Sequence, residues 1–209
     1  MAENFHKPTQ YSGDKFDTYE GGEDPAQILR VAHDTAHALL SRARETEDPE
    51  VIDRLVAYTD SHGIDALAEL WARSSPRSLP GALWRIYLIR VLIRQDATGT
   101  SFLFQRGLDV LPTIDALVAG APMPTGPDEI TDLADQILRG LFRGDFAVAL
   151  DRAASFSRIL AAGCTSTADD AEPVNPERGT ELTTRADRLA LTADEFAACA
   201  RLYRAGSLE

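Results

Sequence analysis

SLPGALWRIYLIRVLIRQ, residues 78–95, is the stretch on which the fold turns. Between Leu83 and Ile93, nine of eleven residues are large and apolar, interrupted only by Arg85 and Arg90. Wound at about 100° per residue, these side chains leave no clean polar face. Arg90 and Arg94, four apart, share one narrow edge. The residue types also suit a strand. Helix is favoured by Ser78 as a start signal, by Pro80 in the first turn and by a length beyond ordinary strands. A helix apolar all round is normally buried among others, so the stretch predicts a buried central helix over residues 80–95. The run is too short, and too broken by arginine, to span a membrane.

Working outward, Asp24-Pro25 opens a first helix, with Gln27 completing a capping box. Ile28, Leu29, Ala32, Ala36, Leu39, Leu40 and Ala43 then form one apolar stripe. Asp48-Pro49 repeats the start signal for a second helix reaching His62-Gly63, and a third follows over Asp65–Arg73. On the other side, Phe102–Val118 predicts one or two short helices, with Pro112 opening a last segment. Ile130, Leu133, Ala134, Ile137, Leu138 and Leu141 keep a three-four rhythm after Pro127. Gly144 ends that helix and Asp145 caps the next, which buries Phe146 through Leu160. Gly163–Val174 reads as a polar loop. Asn175-Pro176 opens a helix to about Leu191, and Thr192-Ala-Asp-Glu195 reads as a capping box for a final helix ending at Gly206. Strand alternation is absent. The expectation is an all-α, compact bundle of about eight or nine helices.

Residues 1–23 show no hydrophobic period and are net acidic, which predicts a disordered acidic tail, leaving 24–209 as a single α-helical domain. The tail nevertheless holds Phe5, Tyr11, Phe16 and Tyr19, candidates for docking on a groove of the same protein or of a partner.

Twenty-one basic residues stand against 33 acidic ones, a net charge of −12. Such a surface repels the nucleic-acid backbone, and no local basic stripe offsets it, so no nucleic-acid partner is expected. Two cysteines, Cys164 and Cys199, fit a reducing compartment. With no signal-peptide pattern and no membrane segment, a cytoplasmic protein is expected. Arginine replaces lysine almost throughout, beside abundant alanine, a usage that suggests an actinobacterial source.

The constellations that could carry chemistry are few. His33 and His37, four apart on the first helix, could chelate one metal, with Asp34 beside them as a base. On the helical wheel they fall on the rim and outer face, and no third ligand is specified. Arg90 and Arg94 are candidate contacts for an anion or a partner; alternatively their stems cover apolar surface while their heads reach solvent or a core carboxylate. Asp128, Glu129, Asp132 and Asp135 gather after Pro127, where the helix dipole favours carboxylates. Cys199 falls on an apolar face and Cys164 at a helix end, positions that do not activate a thiol. No nucleophilic triad, phosphate-binding loop or cofactor pattern appears.

The run Ser78–Gln95 and the ending Leu202-Tyr203-Arg204-Ala205-Gly206-Ser207-Leu208 resemble an uncharacterised actinobacterial family of small helical proteins, over roughly residues 25–209. The resemblance implies no activity and no site. From the residues themselves, the expected function is a non-enzymatic interaction or adaptor module that binds a protein partner and pairs with itself as a dimer. The alternative is a metal-dependent or small-molecule enzyme built on His33 and His37, with Arg90 and Arg94 facing an anionic substrate. A transcriptional regulator ranks third, because it needs a basic recognition helix and residues 1–70 are acidic.

Overall fold

The computed structural model describes residues 24–45, 54, 70–121 and 125–209. The expected tail 1–23, its four aromatics, and nearly all of the second and third helices lie outside the described residues. Within them the chain is all-helical, with no strand. Seven helices are present: α1 Pro25–Glu45, α2 Leu79–Gln95, α3 Ala97–Val110, α4 Asp115–Ala119, α5 Pro127–Arg143, α6 Phe146–Ala171 and α7 Pro176–Arg204.

Most starts follow their cap residues. Ser78 Oγ accepts from the Gly81 amide, Asp96 from Gly99, Asp145 from Ala147, and Asn175 from Arg178. At the other end of α7, Gly206 adopts the left-handed conformation (φ 67°), and the Ser207 amide reaches back to the Leu202 carbonyl. This turn tucks Leu208 in, and the Glu209 carbonyl accepts from the Leu79 amide at 2.7 Å, adding to the cap of α2.

The described residues hold seven helices against the expected eight or nine; of two corrections, one lengthens a helix and the other, the fusion at Thr192, lowers the count by one. Gly163–Val174 is not a loop: α6 runs unbroken to Ala171. The hydroxyls of Thr165 and Thr167 donate to carbonyls four residues back, so these polar residues are held within the helix rather than diverting it. Thr192–Glu195 is likewise no capping box. Thr192 bonds back to the Arg188 carbonyl, and Glu195 faces Arg85 of α2 at 2.7 Å, so α7 passes straight through.

The third correction concerns the centre. Residues 80–95 do not form the buried axis, because Leu88 and Leu92 of α2 are 42% and 37% exposed while Arg90 is 3% exposed. The axis is α6, where fifteen of 26 residues are buried. α7, α3, α4 and α5 all pack on α6; α2 bridges α5 and α7, and α1 lies on α2 and α5. The inversion in α2 has a partner-based cause. Arg90 Nε meets Asp135 of α5 at 2.7 Å, and Arg94 reaches the same carboxylate at 3.2 Å. A buried guanidinium is tolerable only beside such an anion, and turning it inward turns Leu88 and Leu92 out.

α3 and α6 meet closely through glycine. A Cβ on Gly107 would run into the Ile159 carbonyl, and one on Gly163 into the Leu103 carbonyl. Phe104 and Phe156 stack beside this crossing, with ring centroids 5.2 Å apart.

Candidate functional site

Turning Leu88 and Leu92 outward leaves an open groove of about 720 Å³ between α2 and α7. Arg85, Leu88, Ile89 and Leu92, spaced three and four apart, line it from α2. The opposing wall is one face of α7, made by Glu181, Thr184, Arg185, Arg188 and Thr192. The two helices run antiparallel, since Arg85 near the start of α2 pairs with Glu195 in the second half of α7. The floor is apolar, with Ile89 and Leu189 leading into the core.

The charges of the groove do not cancel. Arg85 is paired with Glu195, and Glu181 with Arg178 at 3.0 Å. Among the described residues, Arg185 and Arg188 form no ion pair. The Nε of Arg185 is buried without a hydrogen-bond partner there. An unpaired buried donor costs free energy on the order of 1–3 kcal/mol, which an occupant of the groove could recover. Chemically, the site offers exposed leucines beside two guanidinium groups without ion pairs, with the carboxylate of Asp96 at its end. It suits a ligand that is apolar on one side and anionic on the other.

The residues singled out from sequence fall elsewhere. Arg90 and Arg94 converge on Asp135, so the carboxylate nearest them belongs to the core of the chain itself. His33 is half-buried and His37 exposed on α1. No three potential metal ligands come together among the described residues. Of the acidic cluster after Pro127, Glu129 accepts from the Gly126 amide and Asp135 turns inward, which divides the group. Cys164 lies inside α6 rather than at a helix end, and both cysteines are fully buried. Burial raises the pKa of each thiol, that of Cys199 to about 11. The Cys199 thiol donates to the Pro76 carbonyl. No helix of the described residues is long and apolar enough to cross a membrane.

Sequence reasoning passed over Arg185 and Arg188. Residues 181, 185 and 188 already share one face of the helix expected from Pro176 to about Leu191, but nothing within that helix shows that this face lies opposite Leu88 and Leu92 of α2. The readable signal was the spacing of Leu88 and Leu92, four apart and opposite an arginine that could turn inward.

No protein-family model matches the chain, no curated protein or solved structure is significantly similar to it, and the resemblance carried by Ser78–Gln95 lends the site no residue roles.

Proposed function

We propose that the chain is a non-enzymatic helical binding module whose α2/α7 groove receives a segment of a partner protein in which apolar side chains accompany carboxylates. One observation carries this reading: two arginines without ion pairs stand beside two exposed leucines in a groove of about 720 Å³. In a molecule of net charge −12, two guanidinium groups without ion pairs set side by side against apolar surface mark a place for an anionic partner. Docking of amphipathic segments in apolar grooves is a recurrent mode of recognition, with charge setting orientation and register.

The test is site-directed photocrosslinking in the native host, with a photoreactive residue at Leu88 in one strain and at Leu117, an exposed position on α4, in another. A protein captured at Leu88 and not at Leu117 supports the reading, provided that Arg188→Glu weakens the capture roughly tenfold or more, a change of about 1.4 kcal/mol. Equal capture at both positions, or capture indifferent to Arg188→Glu, refutes it.

A further inference from the structure

We infer that the groove is covered by the chain's own N-terminal segment Tyr11–Glu23, which occupies Leu88 and Leu92 until a partner displaces it. This inference rests on reading the groove as a docking site for acidic, apolar segments, and it adds self-occupancy as the means of regulation.

Charge is the first argument. Tyr11–Glu23 carries Asp14, Asp17, Glu20 and Glu23 against Lys15 alone, and the groove presents Arg185 and Arg188 without ion pairs against the single carboxylate there without one, that of Asp96. Pattern is the second. Phe16-Asp17 and Tyr19-Glu20 repeat an aromatic followed by a carboxylate, three residues on. Each pair offers a ring for exposed leucine and an anion for guanidinium, the two features the groove presents side by side.

Reach is the third. α1 runs antiparallel to α2. Near its end, Arg44 bonds to the Tyr203 hydroxyl at 2.6 Å, at the finish of α7 and beside the start of α2. Midway, Thr35 accepts from Trp71, whose ring packs on Tyr87 in the middle of α2. Asp24 lies eleven residues before Thr35, about 16 Å along the axis, which brings it level with the Leu92–Gln95 end of the groove. From Asp24, Tyr19 and Phe16 lie five and eight residues back, a reach of up to roughly 17 and 27 Å of extended chain. That exceeds the width of a helix, about 10–12 Å. The segment therefore starts at the right end of the molecule and is long enough to lie in the groove.

The experiment uses the full chain carrying Ser12→Cys with a nitroxide on the new thiol. Cys164 and Cys199 are fully buried with raised pKa values and do not take the label. Paramagnetic relaxation should remove amide signal from Leu88, Leu92, Thr184 and Arg188 and spare Leu117. The signal should return on reducing the nitroxide and in about 1 M salt, where the screening length falls to about 3 Å. It should also return in the double variant Arg185→Glu, Arg188→Glu. If that variant misfolds, Asp17→Lys with Glu20→Lys reverses the same charges on the segment, outside the helices described. Relaxation spread evenly over the surface, or centred away from α2 and α7, overturns the inference. So does relaxation of the groove in an isotope-enriched, unlabelled chain mixed with a spin-labelled one, because the segment would then belong to a second copy. If relaxation misses the groove while Leu88 still crosslinks a partner, self-occupancy fails and the docking function stands. If relaxation finds the groove while Leu88 captures nothing, the segment docks and the partner reading fails.

Discussion

Leu88 and Ile93 sit five residues apart on one helix and should respond oppositely to the same insult. Ile93 is fully buried, and an aspartate there would place a carboxylate in the core without a partner, which should prevent folding at ordinary temperatures. Leu88 is 42% exposed, and Leu88→Asp should melt near the wild-type temperature, within about 0.5 kcal/mol. Thermal unfolding by circular dichroism separates the two, and loss of the fold in Leu88→Asp would show that α2 is rotated from the orientation described. Asp115 supplies a pH-dependent counterpart. Burial alone would raise its pKa, but hydrogen bonds from Arg158, Thr113 and Ser155 together with the Arg158 charge hold it below its usual 3.8. A carboxyl depressed on folding contributes stability that is fully present above its unfolded pKa and is lost as pH falls through the folded one. The gap in melting temperature between wild type and Asp115→Asn should therefore be constant near neutrality and close below about pH 4.

At the scale of elements, three glycines on helices predict a divided alanine scan. Gly140→Ala places a methyl at 3.4 Å from that of Ala149, an ordinary contact, and gains helix propensity worth about 0.5–1 kcal/mol. Gly107→Ala and Gly163→Ala instead drive a methyl into a backbone carbonyl of the neighbouring helix and should each cost about 1–3 kcal/mol. Chemical denaturation measures all three, and a stabilising Gly107→Ala or Gly163→Ala would refute the close α3–α6 crossing. The junction of α2 with α5 is tested in the same way. Asp135→Ala removes the carboxylate that the buried Arg90 guanidinium meets at 2.7 Å and should cost about 3 kcal/mol. Helix starts at Asp24, Ser78, Asp145 and Asn175 were readable from sequence because caps are local, each acting within three residues of itself, whereas the start of α3 after Asp96, five residues before the expected Phe102, was not. The continuations of α6 and α7 were not, because their cause lies elsewhere in space. Glu195 looks like a cap residue until Arg85, 110 positions away, is seen to hold it. The same limit applied to the groove. Whether Arg90 or Leu88 faces inward depends on Asp135, which no periodicity within α2 can reveal.

For the whole molecule, the pairing of α6 with α7 sets an order of events. The two longest helices follow one another in the chain, separated by only four residues, and they form the most extensive helix pair in the structure. Closing so short a connection costs little chain entropy, whereas joining α2 to α7 must close a loop of roughly a hundred residues. The C-terminal third should thus collapse as a helical hairpin first, and α1 and α2 should settle on it afterwards. Pulsed hydrogen exchange during refolding should find the amides of 146–204 protected before those of 79–95. On a ribosome, which releases this hairpin after the segments that pack on it, α1 and α2 would wait with their apolar faces uncovered until residues 146–204 emerge, leaving a chaperone its opportunity there.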